Sequence, residues 1–78
     1  MKTTKYFESL QSRPDRAQIQ EEWIQQTIDN PERELVQKDG RIRRWSRIEA
    51  AEGRYLRVIL LDDGETVHNA FFDRRYRP

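Results

Sequence analysis

The chain has 78 residues, 37% of them charged and 35% hydrophobic, a formal net charge of +1 and no cysteine. That length holds one domain, residues 1–78, whose folding buries only about 60–65% of the unfolded surface; the missing cysteines exclude a disulfide framework and fit a reducing compartment. The balanced charge excludes a uniformly basic nucleic-acid binder, so any electrostatic case must rest on local clustering.

Residues 4–12 are predicted to form a short helix with Tyr6, Phe7 and Leu10 at helical spacing, and Pro14 ends or bends it. A second helix is expected from Asp15 as N-cap, with Gln18 three residues on as in a capping box, and Glu21 and Glu22 where acids suit the helix dipole. Ile19, Trp23, Ile24 and Ile28 give that helix one apolar stripe, and Asn30-Pro31 stops it, because a residue before proline avoids the α region.

After Pro31 the period changes to two. Residues 34–37 read as a strand and Lys38-Asp39-Gly40 as a turn. A three-residue loop with Gly40 in the left-handed position sets Val36 against Ile42 and Glu34 against Arg44; a two-residue Asp39-Gly40 loop sets Val36 against Arg43. The first register is preferred because it pairs apolar with apolar and acid with base. Further strands are predicted from Arg41 to about Ile48, over 54–61 and over 66–72, with turns at 49–53 and at Asp62-Asp63-Gly64. The expected fold is therefore α+β: two N-terminal helices packed on a four-stranded antiparallel meander sheet, with one face covering the apolar stripes and the other left wet.

All but two of the arginines fall between Arg33 and Arg77. Alternation puts Ile42, Arg44, Ser46 and Ile48 on one face of the second strand and Arg41, Arg43, Trp45 and Arg47 on the other, where Arg57 of the third strand can join them. Guanidinium groups pair with phosphates and tryptophan stacks on bases, so this face is a candidate RNA-binding surface. The same residues also fit a solvated face neutralised by Glu34, Glu49, Glu52 and Glu65, with Trp45 in the core.

The final run from Phe71 to Arg77 sets aromatic anchors before three arginines and Tyr76. Metal-free RNA cleavage needs activation of a 2′-hydroxyl, charge stabilisation and protonation of the leaving group, and Arg57, Arg74, Arg75, His68 and Tyr76 can supply those roles. A strand cap tied to acidic partners is the alternative for the tail. His68 is the only histidine, and no thiolate or carboxylate spacing makes a zinc site with it. Asp62-Asp63 reads as turn chemistry. With no Gly-rich phosphate loop and no nucleophile elbow, no metal or cofactor is expected.

The order of elements resembles the small bacterial proteins related to BrnT and, more distantly, the RelE and ParE toxins, together with bacterial domains of no assigned activity. The resemblance rests on Ile28-Asp29-Asn30-Pro31-Glu32, on residues 54–59 and on residues 66–76, and spans roughly residues 5–76. It implies a toxin–antitoxin ribonuclease that cuts mRNA, often on the ribosome, and is silenced by an antitoxin partner. On that likeness Arg57 takes the place of the strand-three arginine and Tyr76 that of the C-terminal aromatic. The rival expectation is a non-catalytic protein-interaction module or homodimer, since a thin core with exposed strands favours association and arginine and tryptophan also suit protein interfaces. No apolar run approaches the ~18 residues of a membrane span, and the opening MKTTKYFESL lacks the apolar stretch of a secretory signal, so a cytoplasmic location and no membrane partner are expected.

Overall fold

The computed structural model describes all of residues 1–78. Helix α1 spans Lys5–Leu10, where the Thr4 side chain caps it by accepting the Phe7 N–H at 3.1 Å. It buries Phe7 and Leu10, whereas Tyr6 lies outside and is 51% exposed.

The expected second helix is two helices, α2 at Pro14–Ala17 and α3 at Glu21–Asp29. Pro14 starts α2, with Arg13 as its N-cap; Asp15 is in the first turn and Gln18 is the C-cap, so no capping box forms. Tertiary contacts override the local signal. The Arg16 guanidinium donates to Asn69 Oδ1 at 2.6 Å and to the Ala70 carbonyl at 3.1 Å, tying α2 to the last strand, while α3 leaves from extended Gln20 to lie under the sheet. Trp23, Ile24 and Ile28 still face the core, with Ile19 packed against it from the connection.

The sheet is an antiparallel meander in the order β1-β2-β3-β4: Arg33–Val36, Ile42–Ile48, Arg54–Leu60 and Val67–Phe72. The preferred register holds: Val36 faces Ile42 and Glu34 faces Arg44. Gly40 has φ +92°, a left-handed conformation that a side chain would strain. Arg44 joins the layers, donating to Glu34 Oε2 at 2.7 Å and to the Ile28 carbonyl at the end of α3 at 2.9 Å. In the turn before β4, Asp63 accepts the Thr66 hydroxyl and the backbone N–H groups of Thr66 and Glu65, which lower its pKa to about 2. Its work is therefore in the turn.

Ile24, Ile48, Leu56, Val58, Leu60, Val67 and Ala70 form the centre of the core. A bulge opposite Ile59 and Leu60 lets Val67 face Leu60, with His68 as the extra residue before Asn69. The N-terminal residues protect the β4 edge: Thr3 bridges Val67 in parallel, Thr4 N–H donates to the Val67 carbonyl and Val67 N–H to that of Lys2. No helix is long and apolar enough to cross a membrane.

One buried polar pair joins α3 to β2. Thr27 and Ser46 are 0% and 1% exposed, and their hydroxyls lie 2.5 Å apart. Thr27 donates to the Trp23 carbonyl, so it accepts from Ser46. Thr27→Val strands the Ser46 hydroxyl and should cost about 1–3 kcal/mol in urea denaturation, whereas Ser46→Ala should cost about 1 kcal/mol. The double variant should lose less than the sum, since it strands no donor.

Candidate nucleic-acid interface

Strand register lines up four outer-face residues across the sheet: Arg33 opposite Trp45, Trp45 opposite Arg57, and Arg57 opposite Phe71. The Arg57 guanidinium lies over both neighbouring rings, 5.4 Å from the Trp45 centroid and 5.0 Å from that of Phe71. Trp45 is thus on the outer face, as alternation requires, yet only 6% exposed. The C-terminal tail covers it.

Asp73 turns the chain back. Its Oδ2 accepts Trp45 Nε1–H at 3.0 Å and the Nε–H and Nη2–H of Arg57 at 3.0 and 2.6 Å. Its Oδ1 accepts the Arg75 N–H at 3.1 Å, an Asx turn, and its own N–H donates to the Tyr55 carbonyl at 2.9 Å. The returning tail stacks Tyr76 on Trp45, with centroids 5.1 Å apart and planes 19° apart, and against Tyr55 at 4.9 Å. Burial pushes the Asp73 carboxyl up, but the Trp45 and Arg57 donors, the Arg75 N–H and the Arg57 charge together hold it below the usual carboxylate range.

The cations divide into two sets. Arg41, Arg44 and Arg47 pair with Asp39, Glu34 and Glu49, and Arg43 donates to Gln37. Arg44 and Arg47 of β2 and the adjoining Arg41 are therefore neutralised, whereas Arg43 meets only a neutral amide. Arg57 is committed to Asp73 and Arg16 to Asp15. Seven arginines, Arg13, Arg33, Arg43, Arg54, Arg74, Arg75 and Arg77, have no carboxylate partner within 4 Å. All of them except Arg13 and Arg43 line two openings on either side of the tail. A notch of about 240 Å³ is bounded by Arg33, Trp45, Arg57, Arg75, Tyr76 and Arg77. A cleft of about 670 Å³ between α2 and the tail is bounded by Arg54, Tyr55, Phe71, Arg74, Tyr76 and Arg77 among others. Asp73, Tyr76 and Arg77 line both, so the tail is the partition.

Of the residues singled out for chemistry, Arg57, Arg75 and Tyr76 come together at the notch with Trp45, and Arg74 lies across the partition. His68 lines neither opening. Its Nδ1 is 3.1 Å from the Thr4 hydroxyl and its ring 5.0 Å from that of Tyr6. Thr4 thus joins the His68 ring to the N-terminal turn of α1, where its hydroxyl also accepts the Phe7 N–H. Burial first, then the Arg41 charge, lowers the His68 pKa. Arg41, Arg43 and Arg47 line neither opening. Arg33, Arg54 and above all Asp73 emerge only from the structure. The one sequence signal for Asp73 is a lone acid between the aromatics of β4 and a run of arginines.

No three histidine, aspartate or glutamate side chains gather to hold a metal ion. No family model, characterised protein or solved structure matches the chain.

Asp73→Ala removes the acceptor of three side-chain donors and leaves the Arg57 charge, 21% exposed, without its partner. It should cost at least about 2 kcal/mol, or roughly 10 °C in Tm, and red-shift tryptophan emission as Trp45 meets water. In the wild type the Asp73 contribution is fully present above the ordinary aspartate pKa of 3.8 and is lost as pH falls through the lower folded-state value. Below that window wild type and Asp73→Asn should converge in stability, which an acid titration of both would check.

Proposed function

We propose that this domain binds single-stranded RNA at the arginine and aromatic end of its sheet, as a toxin–antitoxin-type ribonuclease or as a descendant that no longer cleaves. One observation carries the proposal: of the seven arginines without a carboxylate partner five, Arg33, Arg54, Arg74, Arg75 and Arg77, surround the aromatic cluster of Trp45, Tyr55, Phe71 and Tyr76. Unpaired guanidiniums release counterions from phosphates without first breaking an ion pair, and aromatic rings beside them accept unstacked bases. The net charge of +1 is no obstacle, because Arg41, Arg44 and Arg47 are balanced locally while the arginines of the tail are not.

Cleavage on this reading draws on the notch. Arg75 stabilises charge on the phosphate, Arg57 orients the ring of Trp45, and the Tyr76 hydroxyl moves a proton. His68, turned toward Thr4, takes no part.

A short single-stranded RNA should bind with an affinity that falls between roughly 50 and 200 mM salt, and Arg75→Ala or Arg77→Ala should each reduce the log–log slope by about 0.7. Binding insensitive to salt and to both changes would overturn the proposal. Cleavage is tested separately. Expression of the wild type should arrest bacterial growth and Tyr76→Ala should relieve it, whereas RNA binding without arrest assigns the non-cleaving descendant.

The open edge of the sheet favours a second reading, a protein-interaction or homodimerisation module. Leu35 and Val36 on edge strand β1 are 40% and 62% exposed, and β1 has no neighbour on its outer side. An antitoxin segment or a second copy can add a strand there. Sedimentation at high protein concentration should then give a dimer that Val36→Lys dissociates; a strict monomer leaves the edge to a different chain.

A further inference from the structure

The larger cleft differs from the notch in how its cations are held. Arg54 lies over Phe72, its guanidinium carbon 4.1 Å from the ring centroid, and its Nε–H donates to the Ala51 carbonyl at 3.0 Å. Trp23 packs on the same Phe72 ring from the core at 6.1 Å. Arg54 is thus fixed by stacking and by one hydrogen bond, with no carboxylate partner. An immobilised guanidinium loses little freedom on meeting an anion. Arg77 is also held, donating to the carbonyls of Arg74 and Tyr76, and Arg74 stands beside it on the same wall. Opposite, α2 contributes Gln18 and Asp15, the latter already paired with Arg16.

We infer that this cleft is a single-nucleotide pocket, in which Arg54, Arg74 and Arg77 hold a phosphate, and Tyr76, with the Arg16 guanidinium that lies 5.3 Å over the Phe71 ring, receives an unpaired base. Its volume of about 670 Å³ falls within the ~300–1,000 Å³ of small-ligand sites. The half-buried Tyr76 ring gives a base a flat surface, and the guanidinium plane of Arg54 offers a second one. The Gln18 amide can meet a base edge, and the neighbouring Asp15 carboxylate rewards an exocyclic amine and repels a second phosphate. The preferred ligand is therefore a monophosphate with an amino-bearing base. The inference rests on the RNA reading for its biological source, since the same chemistry belongs to a free nucleotide and to an unstacked nucleotide of a strand.

The test is calorimetric titration of the full chain with adenosine monophosphate, adenosine and inorganic phosphate, beside the RNA oligonucleotide. Adenosine monophosphate should bind more tightly than adenosine or phosphate alone. Arg54→Ala and, as a variant on the exposed tail, Arg74→Ala should each weaken it roughly tenfold or more. Lys38→Ala, in the β1–β2 turn and away from both openings, should leave it unchanged. Phosphate binding as well as the nucleotide, or indifference to both Arg54→Ala and Arg74→Ala, would overturn the pocket. If RNA binds but the mononucleotide does not, the pocket fails and the RNA reading stands; if the reverse holds, the pocket stands as a free-nucleotide site. Where both bind, competition assigns the pocket to the strand and its absence assigns it to a free nucleotide.

Discussion

A single carboxylate oxygen, Asp73 Oδ2, receives the indole N–H of Trp45 and two N–H groups of Arg57, and the C-terminal end of the molecule follows from it. With those donors satisfied, the chain reverses through an Asx turn and lays Tyr76 on Trp45. The outer face of the sheet thereby gains a small second core without a second layer of helices. A wet face of one antiparallel sheet is ordinary; here only the end that carries Trp45 is covered. The side chain of Asp73 is 7% exposed, so the pair has the low-dielectric setting in which losing one partner costs most.

That interaction also sorts the arginines. Along the second strand Arg44 and Arg47, with Arg41 just before it, have acid partners, at Glu34, Glu49 and Asp39. Exposed pairs of this kind contribute little stability, but they cancel the local field. The tail offers only Asp73, and Arg57 occupies it. Among the arginines left over are those whose backbone positions the Asp73 turn determines, Arg74, Arg75 and Arg77, and Arg33 and Arg54 at the ends of β1 and β3; Arg13 and Arg43, also unpaired, lie away from the tail. Local basicity in a nearly neutral chain is thus a consequence of topology.

The sheet was legible because several independent signals agreed at each position. Gly40, the Val36–Ile42 pair and the Glu34–Arg44 pair all selected one register, and alternation placed Trp45 and Arg57 on the same face. The helical layer was less legible. Asp15 and Gln18 satisfied a local capping rule, but the anchorage of Arg16 to Asn69 and Ala70 carries more weight than one cap, and that contact bridges more than fifty residues. The β4 bulge left no glycine or proline to mark it. The candidate site was half visible: the aromatic and arginine tail stood out, whereas its closure on Trp45 depends on donors 28 and 16 positions away from Asp73. Period and propensity carry no information about such distant pairing.

The closed tail constrains what the outer face can do with an anion. A phosphate that took the Nε–Nη2 edge of Arg57 would have to displace Asp73, stranding a buried carboxylate and the Trp45 N–H together, and a new phosphate contact returns no more than the charge-assisted bonds it breaks. Arg33, Arg75 and Arg77 on one side and Arg54, Arg74 and Arg77 on the other impose no such penalty. An anionic strand therefore gains most by running along the two flanks of the tail while Arg57 remains structural. Any chemistry at the notch must then come from groups the tail itself carries, the Tyr76 hydroxyl and the Arg75 guanidinium, with Asp73 setting where both stand.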